Sequence, residues 1–191
     1  MSQIDQIRDA IAARLALVPN IGRVHTFERY AKDHPAFRPM FVTESGQMLG
    51  WTIRRVRTEE RVVDSLTHAV VDRWRIVAVM GLEDAQESEL AFDAMIETVR
   101  DQFRLDETLG GVVDTTTVDD LAGLQLEDSG PAMFAGILCH SARLSLSTQY
   151  DIGHNVTVAD DFVTGNVKWD LGPVPDEAID AEDTLNLEQE E

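Results

Sequence analysis

The sequence predicts an α+β fold in which two helices pack on one face of a mostly antiparallel sheet of four to five strands, followed by an extended acidic C-terminal arm. Apolar residues recur at helical spacing in two segments and alternate with polar residues in several others. Residues 151–191 carry twelve acidic side chains against one lysine. These features divide the 191 residues into a domain at 1–150, an arm at 151–175 and a disordered acidic tail at 176–191.

The first 47 residues are expected to form a helix, a short strand and a long loop. Five apolar residues near the start lie at helical spacing, and Ser2 precedes them as a helix cap. These apolar residues are Ile4, Ile7, Ile11, Leu15 and Val18. Residues 19–22 end the helix, a strand spans 22–28, and the loop at 31–47 carries one helical turn around Phe37 to Phe41.

Two longer β segments follow, at 48–57 and 67–82, and the charged residues 58–66 are expected to form the hairpin connection between them. In the second segment, alternate residues are apolar and share one face of the strand. They are Trp74, Ile76, Ala78 and Met80. We expect Trp51 and Trp74 to lie in the core or on a sheet face.

A second helix is expected after Asp84, because the spacing from Asp84 to Glu87 is that of a capping box. Apolar residues form a stripe along one side of this helix, and acidic residues occupy the other. The stripe consists of Phe92, Ile96, Val99 and Phe103. Gly110-Gly111 then leads to a short acidic strand at 117–127 and to an alternating strand at 134–149.

The sequence lacks the common motifs of catalysis. It has no Gly-rich phosphate loop, no His-Glu-x-x-His, no Cys-x-x-Cys and no Gly-x-Ser-x-Gly, and its five histidines are scattered. Cys139 is expected to be a small buried hydrophobe. The acidic pairs Asp119-Asp120 and Asp160-Asp161 leave open a small metal-dependent enzyme that binds Mg²⁺. The main expectation is no enzymatic activity, no cofactor and no metal.

A cluster of arginines reverses the sign of charge locally. Its members are Arg54, Arg55, Arg57 and Arg61. Alternation along a strand places Arg55 and Arg57 on one face. Two interpretations remain open. The arginines pair with Glu59, Glu60 and Asp64 in a solvated hairpin, or they form a basic patch for an acidic partner or for DNA that passes nearby.

Phe162 and Trp169 are large aromatic residues in a polar, acidic part of the chain. Trp169 either folds back onto its own domain or docks on a neighbouring subunit, and aromatic residues are favoured anchors of interfaces. The candidate subunit-interface residues are therefore Phe162, Trp169, Arg55 and Arg57.

The net charge of −19 argues against simple binding to duplex DNA, which requires neutralisation of phosphates. No apolar run reaches the roughly 20 residues of a membrane-spanning helix, and the first ten residues have neither a basic start nor an apolar stretch. The chain is expected to be soluble and intracellular, without a membrane partner.

Four stretches of the chain, in their order and content, resemble a family of tail terminator and minor tail proteins of long-tailed bacteriophages and their prophages. They are IRDAIAARLALVPNIGRVHTFERYAKD at 7–33, GWTIRRV at 50–56, DRWRIVAVMGLEDAQESELAFDAMIETVRDQFRLDETLGG at 72–111 and MFAGILCHSARLSLSTQ at 133–149. The resemblance covers about the first 150 residues, and residues 151–191 lie outside it.

The resemblance implies a small α+β virion protein, assembled in the host cytoplasm, that forms a ring on the head-proximal end of the tail tube. Such rings are commonly hexamers. The ring stops the addition of tube subunits and offers a docking surface to the neck. The implied partners are further copies, the tail tube protein and the neck or head-completion protein, with the sheath protein as a further candidate. DNA passes through without specific binding. A neck or head–tail connector protein, or a baseplate component, is the alternative with the same kind of fold and symmetry.

Overall fold

A computed structural model describes residues 1–29, 39–44, 46–64, 66–83, 87–134, 136–153, 164–169 and 181–186. In this part of the chain the fold is α+β, with helices α1 (Gln3–Ala16) and α2 (Ser88–Arg104) and a helical turn at 39–41. The described strands are β1 (Arg23–His25), β2 (Leu49–Val62), β3 (Thr67–Gly81), β4 (Thr117–Val118), β5 (Leu121–Ala122), β6 (Gln125–Phe134), β7 (Ile137–Gly153), β8 (Thr164–Trp169) and β9 (Ala181–Asn186).

Five strands form the main sheet in the order β1-β2-β3-β7-β6. β1 runs parallel to β2, and every other neighbouring pair in this sheet is antiparallel. β2, β3 and β7 contain 14, 15 and 17 residues and extend well past the two outer strands. The predicted α+β class and mostly antiparallel sheet are confirmed.

The core is one cluster of buried apolar residues from both helices and from alternate positions of β2, β3 and β7. The predicted stripe of α2 is buried, as are the predicted residues of one face of β3. Trp51 and Trp74 are fully buried. Their indole N–H groups donate to the carbonyl oxygen of Ile21 at 2.8 Å and to Oγ1 of Thr148 at 3.0 Å. Each buried indole nitrogen thus keeps a partner, as burial of a polar group requires.

The opposite face of the sheet carries a smaller apolar cluster. Phe41, in the helical turn at 39–41, is 3% exposed and packs with Val79 and Cys139. The expected helical turn is confirmed over 39–41, and Phe37 lies outside the described residues.

Helix α1 begins with the predicted cap at Ser2. The Ser2 hydroxyl accepts a hydrogen bond from the Asp5 amide at 3.2 Å, and the Asp5 carboxylate accepts one from the Ser2 amide at 3.4 Å. This reciprocal pair is a capping box. The helix ends at Ala16, with Leu17 as its C-cap.

Strand β2 is longer than the sequence predicts. Residues 58–62, expected in the hairpin connection, pair with 68–72 of β3. The side chains of this extension are mostly exposed, so the segment has no alternating apolar pattern to reveal a strand. A bulge also interrupts the register between Arg55 and Arg57.

The capping box expected at the start of α2 is wrong. The helix begins at Ser88, and its N-cap residue Glu87 has a left-handed backbone at φ 52° and makes no side-chain cap bond. The Ser88 hydroxyl instead accepts the Glu83 amide hydrogen at 2.9 Å and lies 2.8 Å from Nε2 of His140. The first turn of α2 is therefore tied to β7. Asp84 lies outside the described residues.

The segment after α2 also differs from the prediction. Instead of one acidic strand at 117–127, it contains the β4–β5 hairpin and then β6, which pairs with β7 along one side. Gly136, at φ 83°, lies between β6 and β7. β6 was missed because it is mostly exposed and contains Gly130 and Pro131, which are typical of turns and edge strands.

The chain divides into two units, Met1–Gly153 and His154–Glu191. The first unit ends at Gly153 and not at 150, because β7 pairs with β3 through that residue. In the second unit, β8 and β9 form a two-stranded antiparallel sheet. Disorder was expected over 176–191, and the structure differs from that expectation at Ala181–Asn186, where pairing with β8 provides partners for backbone groups.

Candidate interaction surface

The strongest concentration of charge contacts lies on the sheet face opposite the main core residues. Strand register places Arg54 beside Arg75 and Arg57 beside Arg73, and Arg143 lies on the same face beside Val77. Arg61 completes the group through a shared partner with Arg73. We call these six residues, Arg54, Arg57, Arg61, Arg73, Arg75 and Arg143, the arginine face.

Asp119 bridges two of these arginines from the tip of the β4–β5 hairpin. Its carboxylate accepts hydrogen bonds from Arg73 and, at 3.1 Å, from Arg61. These two bonds, that from Arg73 first, hold the pKa of Asp119 below its usual value. Asp119 and Asp120 both have left-handed backbones, at φ 53° and 63°. The hairpin thus presents a carboxylate to the sheet from a left-handed backbone, which aspartate adopts more readily than most residues other than glycine.

The contacts of Asp119 can be compared with the Mg²⁺ site for which the sequence left the pair Asp119-Asp120 as a candidate. Its carboxylate is engaged by two guanidinium groups, and the described residues contain no cluster of three or more His, Cys, Asp or Glu side chains that could hold a metal ion. The other acidic pair, Asp160-Asp161, lies outside the described residues.

The remaining ion pairs partly match the sequence prediction. Arg57 Nε lies 3.0 Å from the Glu59 carboxylate, and Arg61 lies 3.6 Å from it. Of the other two predicted acidic partners, Glu60 lies 3.9 Å from the ring of His68, and Asp64 accepts the Leu66 amide hydrogen. Two further acidic partners, Asp119 and Glu28, were not predicted because they are far from these arginines in the sequence. Glu28 pairs with Arg54 at 2.8 Å.

A groove of about 370 Å³ runs along the arginine face. Its walls include Arg57, Arg73, Arg75, Glu127 and Ser147. Within the described part of the chain, Arg75 has no ion pair. The groove therefore offers guanidinium, carboxylate and hydroxyl groups beside apolar side chains such as Leu121.

Arg55 lies on the other face of the sheet from Arg57. The bulge at Val56 shifts the alternation, so Arg55 aligns with Trp74 and Arg57 with Arg73. Arg55 reaches the fully buried carboxylate of Asp72 at 3.5 Å. The prediction that Arg55 and Arg57 share a face is wrong for this reason, and a bulge of this kind leaves no clear sequence signal.

The two aromatic candidates lie in the second unit. Trp169 is the last residue of β8, and the register places it opposite Ala181. Phe162 lies outside the described residues. The four sequence candidates are thus distributed over two sheet faces of the first unit and over the second unit.

The main sheet ends in two edges that no described strand covers. β1 pairs only with Gly50–Thr52, so β2 has an open edge from Ile53 onward. β6 is the last strand on the other side. The open part of β2 carries four arginines and two glutamates, whereas β6 carries Glu127 and Asp128 and no basic residue. The sequence analysis did not identify β6, so it could not locate this second edge.

Cys139 and His140 are neighbours on β7 and lie on opposite faces of the strand. Cys139 is fully buried, and burial raises the pKa of its thiol to about 11. His140 is 8% exposed, stacks on Phe92 and contacts Ser88. The thiol is therefore protonated and unreactive at neutral pH.

Comparison with other proteins adds no family to this description. No protein-family model matches the chain, and a search of curated proteins found no match. Among the described residues, no helix combines the length and apolar character needed to cross a membrane.

Proposed function

We propose that this chain is a structural virion protein that forms a ring at the head-proximal end of a phage tail tube, stops tube growth and offers a surface to the neck. The observation that carries the proposal is the pair of unlike open edges, on β2 and β6, of one sheet. A contact between two different surfaces of neighbouring copies produces a ring when its rotation closes.

The fold suits such a ring if both helices cover the same face of the sheet, as the shared core cluster supports. The other face then offers the arginine face for contacts, beside the apolar cluster around Phe41. DNA that passes through the ring should not be gripped. The net charge of −19 disfavours DNA binding by repulsion at the level of the whole protein.

Residues 154–191 act as an extended acidic arm in this proposal. They contain Phe162 and Trp169, and aromatic residues of this kind are favoured anchors for a neighbouring subunit or the next protein of the tail. The arm adds contact area between subunits. The edges of the main sheet determine whether the ring closes.

The mass of the purified protein tests ring formation directly. Mass photometry should show one closed species of roughly six times 21.3 kDa. A species that remains a monomer at all concentrations, or an open series of growing oligomers, contradicts the proposal.

The role at the tube end is tested with the tail tube protein of the same phage or prophage. Added rings should shorten polymerising tubes and appear at one end in negative-stain electron microscopy. Rings that form but leave tube length unchanged, and bind the neck protein instead, favour a neck or connector component.

The arm is tested separately with Trp169→Ala. We expect weaker assembly with unchanged far-ultraviolet circular dichroism, because the substitution removes a contact residue outside the main core. Leu90→Ala is a suitable control, since Leu90 is a large apolar residue on α2 that is 64% exposed.

A further inference from the structure

We propose that the ring is joined edge to edge, with β6 of one copy paired antiparallel to the open part of β2 in the next copy. The inference rests on the proposed function in taking the neighbour to be a second copy of this chain. It adds the identity of the two joined strands and the charges that match them.

Direction and length permit this pairing. β2 and β7 are both antiparallel to β3, and β6 is antiparallel to β7, so β6 and β2 run in opposite directions within one sheet. When a sheet continues from copy to copy around an axis, the joined strands keep these directions and pair antiparallel. β6 has ten residues, and the uncovered part of β2 is Ile53–Val62, which has the same length.

Charge selects the second copy as the occupant of the edge. The β2 edge is basic between Arg54 and Arg57, and the β6 edge is acidic at Glu127 and Asp128. Asp128 aligns with Arg143 and therefore lies on the arginine face, as Arg57 does. In a continuous sheet, opposite charges on one face of neighbouring strands attract, and like charges repel. Two β2 edges or two β6 edges would place like charges together.

The register that places Asp128 opposite Arg57 is also compatible with the position of β1 at the same edge of β2. Because the bulge at Val56 adds a residue to β2, pairing that keeps each side chain on its own face places Pro131 opposite Ile53. The next residue of β2, Thr52, is already paired with His25 of β1. The new pairing thus covers 53–60 of β2 and ends where β1 begins, which leaves residues 132–134 of β6 outside it. Pro131 weakens pairing near that end, since it lacks an amide hydrogen.

The stagger of this register is that of a closed barrel. Within one copy, Asp128 aligns with Arg143 of β7, whereas Arg57 aligns through Arg73 with Ser147. Placing Asp128 opposite Arg57 of the next copy therefore shifts the strand register by about four residues over the four strands of one copy. This shift is about one residue per strand. A barrel whose shear equals its strand number has strands tilted by roughly 36°, within the range that closed sheets adopt.

Charge exchange tests the pairing. We expect Arg57→Glu alone and Asp128→Arg alone each to raise the protein concentration needed for ring formation by about tenfold or more. Each substitution creates a like-charge contact between neighbouring copies. The double variant Arg57→Glu with Asp128→Arg should restore assembly. Arg104→Glu, which reverses a charge on α2, is the matched control and should leave assembly unchanged. Thermal unfolding of each variant verifies the fold.

Cysteine cross-linking provides the second readout. Arg57→Cys combined with Asp128→Cys should give, on mild oxidation, covalent oligomers up to the ring size, because directly paired strand residues lie within disulfide range. Cys139 is buried and does not compete. Arg57→Cys combined with Glu89→Cys, on α2, should give no ladder.

The outcomes separate this inference from the proposed function. Rings that form without a ladder and without rescue by the double variant overturn the edge pairing and leave the ring proposal standing. A ladder from copies that never close into a ring, or that do not cap tubes, supports the pairing and contradicts the proposed function. Absence of both ladder and ring overturns both.

Discussion

Gly22 and Gly46 have nearly the same backbone conformation in very different surroundings. Their φ angles are 82° and 83°, but a Cβ at Gly22 would lie 2.4 Å from the carbonyl oxygen of Leu49, whereas one at Gly46 would meet no atom within 4 Å. We expect Gly46→Ala to cost about 1 kcal/mol of unfolding free energy from the left-handed backbone alone. Gly22→Ala should cost about 2 kcal/mol more, from overpacking against β2.

Urea unfolding of the two variants measures this difference. Equal losses would mean that the contact between Gly22 and the start of β2 relaxes easily. The comparison also tests how firmly the segment after α1 is fixed against the sheet, because Gly22 precedes β1.

The carboxylate of Asp119 makes part of the stability depend on pH. Hydrogen bonds from Arg73 and Arg61 lower its pKa in the folded protein, so folding favours the charged form. The stabilisation is present above the unfolded pKa, about 3.9, and is lost as pH falls through the lower folded value. We expect Asp119→Asn to lower the melting temperature at pH 7, with a difference from wild type that shrinks below about pH 4.

Melting curves between pH 2.5 and 7 measure this effect, and Asp93→Asn on the exposed side of α2 serves as the control for charge removal. Because Asp119 is half exposed, high salt should also reduce the difference at pH 7. A difference that stays constant across the whole pH range contradicts the ion-pair explanation.

The elements show which sequence patterns were informative. α1, α2, β3 and the apolar part of β7 were predicted because burial on one side imposes a period of 3.6 or 2 on their apolar residues. β6 and the second half of β2 have little buried surface, and hydrogen bonds to a neighbour hold them as strands. The candidate site depends on these two strands and on a bulge, so its residues could be named only in part before the structure.

The start of α2 contains a backbone strain that sequence reasoning could not detect. Glu87 is the N-cap residue but has φ 52° and ψ 40° and makes no capping bond. Glycine adopts this conformation without steric cost. We expect Glu87→Gly to raise the unfolding free energy by about 1 kcal/mol. Glu89→Gly, two residues later and inside the helix, should lower it by about the same amount.

Chemical denaturation of both variants distinguishes local strain from the general effect of glycine. If Glu87→Gly destabilises the protein as Glu89→Gly does, the side chain of Glu87 contributes more than its backbone strain costs. The bonds of Ser88 to Glu83 and His140 should persist in either variant, because they depend on the first helical residue.

At the scale of the whole molecule, the fold of the first unit is expected to be independent of residues 154–191. The main core cluster, taken over the residues whose burial the structure describes, lies within Met1–Gly153. β7 pairs with β3 through Gly153, and Asp151 aligns with Ala69. A chain that ends after Gly153 should therefore melt within a few degrees of the full chain, since it keeps this core and all of these strand pairs.

A chain that ends after Tyr150 provides the matched comparison, because it removes only the last three residues of β7. Their loss exposes the beginning of β3, where Ala69 is 5% exposed, and removes a few backbone hydrogen bonds worth about 1 kcal/mol each. We expect this chain to lose about 1–3 kcal/mol relative to the chain that ends after Gly153. Equal melting temperatures would place the structural boundary at 150, and unfolding of both chains would mean that the C-terminal unit completes the fold.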